Sequence, residues 1–575
     1  MANYTQAAEV RRPGLPSLRA DPVVVVALVT AALLAFLALY PTAMLFVGSV
    51  SDAPLGMPGR LTLAHYQAAY ADVQTYRLLA TSFVFAAGSA ALSVLLALIL
   101  AWITVRTNAP GRGIFELVAL VPNVLPPLLI SASWVLLLSP RVGMLNVLVQ
   151  RLGVGPFNVY SLPGMIFVEG LILTPLAFLI IAASLQSMDP ALEESGRIAG
   201  SPSLQVASRI TLRLILPAIL AAGMLNFVRA IESFDTPAII ALPARIEVLT
   251  TKIFREALGA YPPNHNLAAT YAMSLLGIAL VFVYLYRRIT ATTERFTTIT
   301  GRGYRPHVID LGLSRYLASA VALIVLGLIV VLPFAILAVT SILPFMQVPS
   351  LEALRLATLK HYAFLAADGR VLRAIRTSLV LAVAGATIGM VLASVTAYLT
   401  VRTKIAGRGL LEGLVFVPLA FPGTALAIGL LWGYVRFPVP IYATIWILLI
   451  AYVTRFLPFG LRAITSTMVQ IHRELEESSR VCGGGLVTTF RRILLPLLRP
   501  GFMAGWAILA TIFMREFSTS LFLYTPRSEP IGPLLYHLWI DGQHGRMAAL
   551  GVVVSLTSVL LVAAAGRITR TPLAR

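Results

Sequence analysis

The chain has 575 residues, of which 58% are hydrophobic and only 12% charged. That composition excludes a set of soluble domains and fits a polytopic membrane protein, each crossing of which takes about 20 apolar residues. A single cysteine, Cys482, excludes a disulfide framework or thiolate cluster, and the 7 histidines show no ligand spacing that would hold a resident metal. The net charge of +20 sits largely in short loops and termini, as membrane topology and anionic lipid headgroups demand, so no nucleic-acid partner is expected.

In chain order, a basic tail over residues 1–22 carries Arg11, Arg12 and Arg19. The apolar run behind it is too long for the apolar part of a signal peptide and reads as a retained anchor. Hydropathy predicts spans at 23–50, 79–104, 113–138, 161–187, 214–240 and 268–286. A basic linker over 287–315 follows, with Gly301, Gly303 and Pro306. The second set falls at 316–346, 377–401, 409–434, 437–460, 500–524 and 546–566, before a tail over 567–575. Basic residues cluster after the even-numbered spans: Arg106 and Arg112, then Arg287, Arg288, Arg295, Arg302 and Arg305. Arg402, Lys404 and Arg408 follow the eighth span, and Arg567, Arg570 and Arg575 the twelfth. The positive-inside rule then puts both termini and the linker in the cytoplasm.

The halves 23–286 and 316–566 repeat one another. Val105-Arg106-Thr107 returns as Val401-Arg402-Thr403, Gly111-Arg112-Gly113 as Gly407-Arg408-Gly409, Pro122 as Pro418 and Pro126 as Pro422, all at an offset of 296. Further on the offset is 283, so the second half has lost 13 residues (296 − 283) in between. An even number of spans per repeat makes the halves parallel, related by an axis along the membrane normal, with the pathway at their interface. The expected fold is therefore all-α, with about twelve transmembrane helices as two parallel six-helix repeats.

Between the fourth and fifth span of each half lies the same polar loop. Leu192-Glu193-Glu194-Ser195-Gly196-Arg197-Ile198-Ala199-Gly200 returns as Leu475-Glu476-Glu477-Ser478-Ser479-Arg480-Val481-Cys482-Gly483. Ile493, Leu495 and Pro496 lie 10, 12 and 13 residues beyond Gly483; the first copy keeps Ile210 and Leu212 but has Arg213 in place of the proline. A glutamate, small residues and a glycine turn describe two short helices meeting at a tight bend. The pattern E-A-A-x3-G-x9-I-x-L-P, with Ser for Ala, resembles the cytoplasmic loop motif of ATP-binding-cassette (ABC) importer permeases.

That resemblance implies the type I importer permease fold in a bacterial cytoplasmic membrane. It implies partners: two ABC ATPase subunits, a periplasmic substrate-binding protein and the surrounding lipid. It also implies that Glu194, Ser195, Gly196, Gly200, Glu477, Ser478, Ser479 and Gly483 dock the ATPases. No G-x4-G-K-[ST] phosphate loop occurs in the chain, so it is expected to be no enzyme and to bind no cofactor, with ATP hydrolysed by its partners. The segments Glu232-Ser233-Phe234-Asp235-Thr236-Pro237 and Arg515-Glu516-Phe517-Ser518-Thr519-Ser520 resemble those of fused ferric-iron permeases, whose relatives handle thiamine, phosphonates and polyamines.

Ionisable residues inside spans are costly and point to function. Glu169, Arg229, Glu232, Arg455, Arg515 and Glu516 are the candidates for lining the translocation path, with Asp235 near the outer end of the fifth span. Arg229 and Glu232, three residues apart on one helix, would share a face and neutralise each other. Pro122, Pro126, Pro127, Pro418 and Pro422 predict matched interruptions of the third and ninth spans, and Gly385 with Gly389 a close helix contact. A gradient-driven secondary transporter is the rival of similar architecture, but it needs no paired docking loops. A membrane enzyme would cluster acids or histidines at one mouth, whereas Asp52, Asp72 and His265 stand apart.

Overall fold

The computed structural model describes residues 22–119, 125–153, 155–189, 191–293, 308–347 and 351–569. Arg11, Arg12, Arg19, Pro122, Arg295, Arg302, Arg305, Arg570 and Arg575 lie outside the described residues, as do Gly301, Gly303 and Pro306 of the linker. In the first half α1 spans Pro22–Ser49, α2 Val73–Ala101, α3 Pro127–Leu138, α4 Leu162–Ser187, α5 Leu212–Ile231 and α6 His265–Thr293. In the second, α7 spans Ser314–Ile342, α8 Gly369–Ala397, α9 Gly423–Tyr434, α10 Ile445–Gln470, α11 Leu495–Met514 and α12 His544–Thr569. Among the described residues, ten of these are long and apolar enough to cross a membrane.

The exceptions are α3 and α9, within the spans predicted at 113–138 and 409–434, where the matched prolines predict interruptions. The segment Arg408–Leu419 meets α9 at a bend of 105°. In the first half the short helix Arg112–Val118 precedes α3. Proline supplies the break: it donates no N–H, fixes φ and forces its predecessor out of the helical region. Pro127 opens α3 and Pro422 caps α9. At about 1.5 Å per residue, helices of 12 residues reach about 18 Å, too short to cross alone. Both are buried on every face from Leu128 to Leu138 and from Gly423 to Tyr434, which marks them as enclosed by protein rather than lipid.

Other boundaries shift for similar reasons. The tenth span starts at Ile445 rather than 437, because Pro438 and Pro440 keep the preceding chain out of a helix and Thr444 accepts from the Trp446 N–H. α2 and α8 begin earlier than their hydropathy, each capped by an aspartate: Asp72 accepts from the Gln74 N–H and Asp368 from those of Arg370 and Val371. The capping residue Asp72 is thus more than a solvated loop residue.

Within each half the second, fourth and fifth helices form a packed trio, α2–α4–α5 and α8–α10–α11. The small-residue pair on α8 works as its spacing predicts: a Cβ on Gly385 would stand 2.8 Å from the Phe513 ring of α11. The first helix of each half crosses over. α1 packs against α9 of the second half, where Tyr40 donates to the Gly433 carbonyl at 2.7 Å and a Cβ on Gly429 would strike the Pro41 carbonyl. Correspondingly, α7 packs against α3 of the first half. The linker's far end is strapped down as well: Ile309 bridges Thr107 in parallel, and Asn108 donates to Asp310 at 2.6 Å.

Candidate functional site

The repeated polar loop folds into the same elbow twice. After α4 comes the helix Ala191–Ile198, then Ser203–Val206 and a π-helical turn Ala207–Thr211 that runs into α5. After α10 come Glu474–Val481, Leu486–Thr489 and the π turn Phe490–Leu494 that runs into α11. Each elbow helix ends with a six-to-one bond, Ser201 N–H to Gly196 O at 3.1 Å and Gly484 N–H to Ser479 O at 2.8 Å. The residue inside that closure must turn left-handed, and Gly200 and Gly483 do so at φ +84° and +79°. Gly196 and Ser479 hold the inner corner. A Cβ on Gly196 would lie 2.6 Å from Ile210, whereas Ser479 forms a 2.8 Å hydrogen bond with Thr489.

The two elbows present matching faces. Glu194, Ser195, Glu477 and Ser478 are exposed. Beside them stand apolar side chains that a water-facing loop would bury: Leu192 and Leu475 are 46% and 43% exposed, and Ile198 and Val481 are each 88% exposed. An apolar surface rimmed by carboxylates, repeated at equivalent positions, has the make-up of an interaction face.

The preceding glutamates turn inward. Glu193 and Glu476 are buried, and each meets the arginine that ends the second helix of its half. Arg106 Nη1 lies 3.3 Å from Glu193 Oε2, and Arg402 Nε lies 3.2 Å from Glu476 Oε1. Arg106 also donates to the Leu185 carbonyl at the end of α4, and Arg402 to the carbonyls of Met468 and Ile471 at the end of α10. From sequence these arginines read only as topology markers. Their return at an offset of 296, with the glutamates returning at 283, was the available signal.

The second set of candidates meets at the interface of the halves, about 30 Å along α5 from the elbow for a helix of 20 residues. The predicted fifth span, 214–240, is interrupted there. α5 stops at Ile231 and α11 at Met514, so Glu232, Arg515 and Glu516 lie on matched breaks rather than on helices, with Asp235 at the start of the helical segment beyond the first break. In the first half the break covers Glu232–Phe234, and a new helical segment opens at Asp235 and runs into the π turn Pro237–Ala241. In the second, the Glu516 carboxylate accepts from the N–H groups of Thr519 and Ser520 at 2.8 and 3.0 Å and starts a new short helix.

The breaks face one another across the pseudo-twofold axis. Phe234 and its equivalent Phe517 stack at 5.6 Å between centroids and 19° between planes, both buried. Phe254, Phe522 and Tyr536 pack around them. Ser518 donates to its equivalent Asp235 at 3.0 Å. Arg455 ties the halves together, with Nη1 3.3 Å from Glu516 and Nη2 3.8 Å from Glu232. The ion pair of Glu232 is thus to Arg455 and not to Arg229, which is exposed in the last turn of α5. Arg515 donates to the Leu125 carbonyl at 3.0 Å just before α3. Glu169, buried in α4, accepts from Thr236 at 2.6 Å. A cavity of about 420 Å³ adjoins this aromatic plug, lined by both halves through Val135, Ala238, Met346, Tyr536 and Trp539. Among the described residues no group of three or more His, Cys, Asp or Glu could hold a metal ion.

Residues 93–295 and 385–571 each match the family described as "Binding-protein-dependent transport system inner membrane component". The chain is 25% identical over 573 residues to the ferric transport system permease protein FbpB of Actinobacillus pleuropneumoniae, covering 98% of this chain and 80% of that one. It is 25% identical over 527 residues to the putative ferric transport system permease protein FbpB 1 of Haemophilus influenzae, covering 90% and 80%. It is 28% identical over 213 residues to the spermidine/putrescine transport system permease protein PotC of Escherichia coli K12, covering 37% and 80%.

Proposed function

This chain belongs to the family of binding-protein-dependent transport system inner membrane components, the permeases of ABC importers, and from that membership we propose how it works. It forms the translocation path between its two halves. Each elbow docks one ATPase subunit, so two subunits supply the ATP hydrolysis that the chain itself does not perform. A periplasmic binding protein, on which the family's transport depends, delivers the substrate and does most of the selecting. Both termini lie in the cytoplasm, on the side of the elbows. The domain division is 1–22, 23–286, 287–315, 316–566 and 567–575.

The observation that carries the docking role is the repeated elbow, whose exposed Leu192, Ile198, Leu475 and Val481 flank the exposed Glu194 and Glu477. Those apolar side chains cost free energy in water and gain it in a partner's cleft, at roughly 25 cal/mol per Å² of apolar surface covered. Gly196, Gly200, Ser479 and Gly483 shape the bend, and Ser195 and Ser478 keep its outer surface narrow.

The Phe234–Phe517 stack closes the path on the side away from the elbows. Glu169, Glu232, Arg455, Arg515 and Glu516 surround that closure, with Arg229 one turn nearer the elbows. Closure of the docked ATPases would part the two breaks and open the plug.

We assign ferric iron as the substrate because the two relatives that match nearly the whole chain are named as ferric transport permeases. A polyamine is the second reading, favoured by the match to PotC over 37% of the chain. The tagged chain purified from its native membrane should carry an ATPase. In proteoliposomes that complex, given its loaded binding protein, should take up radiolabelled ferric iron on ATP addition. Uptake of labelled spermidine instead would move the substrate to the second reading. A chain that captures no ATPase would refute the docking role and favour a gradient-driven carrier.

A further inference from the structure

We propose that Arg106 and Arg402 are positioning residues of the transport cycle, each a strut that passes the motion of its elbow to the second helix of its half. The proposal rests on the docking role of the elbows and goes beyond it, since neither arginine lies on the docking face.

The geometry is that of a four-way joint. Arg106 ends the span Val73–Arg106 in a π-helical turn and is fully buried. Its guanidinium pairs with Glu193 in the first turn of the elbow helix and donates to Leu185 O in the last turn of α4. The other oxygen of Glu193 accepts from Thr211 at 2.6 Å, in the turn that leads into α5. One buried ion pair therefore joins the ends of α2, α4, the elbow and α5. Arg402 makes the same joint from the π turn Tyr398–Arg402, through Glu476 and the carbonyls of Met468 and Ile471. Leu494 replaces the threonine there, so the second joint ties together α8, α10 and the elbow without the link to the turn before α11.

Two features argue against a purely structural pair. A buried ion pair is a poor source of stability, because desolvation consumes most of its attraction, whereas it fixes geometry well. An arginine fork also holds a carboxylate and a carbonyl at once in a set orientation, which a lysine cannot reproduce. At the first joint the strut is further braced from outside. The Arg106 carbonyl accepts from Ile309 N–H at 2.8 Å, so the linker between the halves is fastened to the same point. Both struts are the last residue of the π turn that closes their helix, so each acts at the helix end itself.

The test uses the full chain with its captured ATPase in proteoliposomes, and needs no knowledge of the substrate. Cys482 is first replaced by serine. Spin labels are then placed at Arg77→Cys and Arg373→Cys, equivalent exposed positions near the elbow-distal ends of α2 and α8. Trapping with ATP and vanadate should change the distance between them in the otherwise wild-type chain. In the double variant Arg106→Gln with Arg402→Gln, ATPase capture and basal hydrolysis should stay within about twofold, while at least about half of that distance change is lost. Arg106→Lys with Arg402→Lys, which keeps the charge without the fork, should fall between. Wild-type movement in the glutamine variant would overturn the strut. So would loss of ATPase capture in it, which would make the arginines builders of the docking face instead. If the wild-type chain captures no ATPase, the docking role fails first, and that result is visible before any variant is made.

Discussion

Substituting the elbow glycines separates backbone geometry from side-chain contact. Gly200 and Gly483 sit at φ +84° and +79°, and a Cβ added at either would meet nothing within 4 Å. A valine there clashes with no neighbour, so its whole effect comes from the left-handed backbone. That conformation costs an L-residue about 1–2 kcal/mol, and a β-branched residue falls toward the upper end. Such a penalty reduces the bent elbow by a factor of about 5–30 relative to unwound alternatives. Asparagine tolerates the left-handed region far better. We therefore expect Gly200→Val or Gly483→Val to weaken ATPase capture by about 5–30-fold while Gly→Asn at either site stays near wild type. Purified chains titrated with the ATPase, with uptake measured in parallel, would read this directly. Wild-type capture and uptake by the double valine variant would show that the bend is irrelevant to docking. Equal losses for valine and asparagine would show that the cost lies somewhere other than φ.

Two further outcomes follow from the opposite end of the molecule. Replacing Phe234 and Phe517 together by alanine removes a stacked pair worth about 0.5–1.5 kcal/mol beyond its buried area. Proteoliposomes of that variant should leak small ions without ATP, and a leak-tight double variant would rule out the plug. Glu529 lies in the loop before Ile531; burial pushes its carboxyl up, but two hydrogen bonds from Arg370 and the nearby His537 ring, 3.3 Å away, outweigh this and hold it at about 2. Its folded value is below the ordinary glutamate value of about 4.3, so its contribution is present above that pH and lost as pH falls toward about 2. The thermal midpoint of Glu529→Gln in detergent should therefore lie below wild type at pH 7, with the gap closing as the pH drops below about 4. A gap that does not change with pH would mean the ionised carboxylate is not what stabilises this loop.

The legible parts of the molecule were those written twice. Parallel halves, elbows and turn glycines were visible because each motif returned at a constant offset, and the apolar runs located ten crossing helices. The interruptions of the third and ninth spans were legible in their matched prolines, whereas hydropathy alone drew both as full crossings because it registers composition and not hydrogen bonding. A run such as Pro127–Leu138 is apolar whether it faces lipid or lies enclosed between halves. The prolines at its head carried the missing information. The pairing of Arg229 with Glu232 failed for a related reason. Spacing of three residues means a shared face only while the helix lasts, and α5 ends one residue before Glu232. The partner, Arg455, comes from the other half, beyond the reach of any local rule. Phe234 and Phe517 stood in plain sight as a motif, but only the axis between them turns two ordinary phenylalanines into one contact.

The crossing of α1 onto α9 has a consequence for how the protein is made. Tyr40 must wait for Gly433, 393 residues later in the chain, and at about 5–20 residues per second that delay is about 20–80 s. During that interval the first helix has left the ribosome with its docking partner not yet synthesised. Its most apolar stretch, with a hydropathy of 2.8 and only 22% buried even in the finished fold, is suited to resting in lipid through the wait. The half that is translated first therefore cannot close its architecture before the last third of the chain emerges. Any truncation upstream of α9 would leave a membrane-inserted but unfinished protein, an exposed target for quality-control proteolysis.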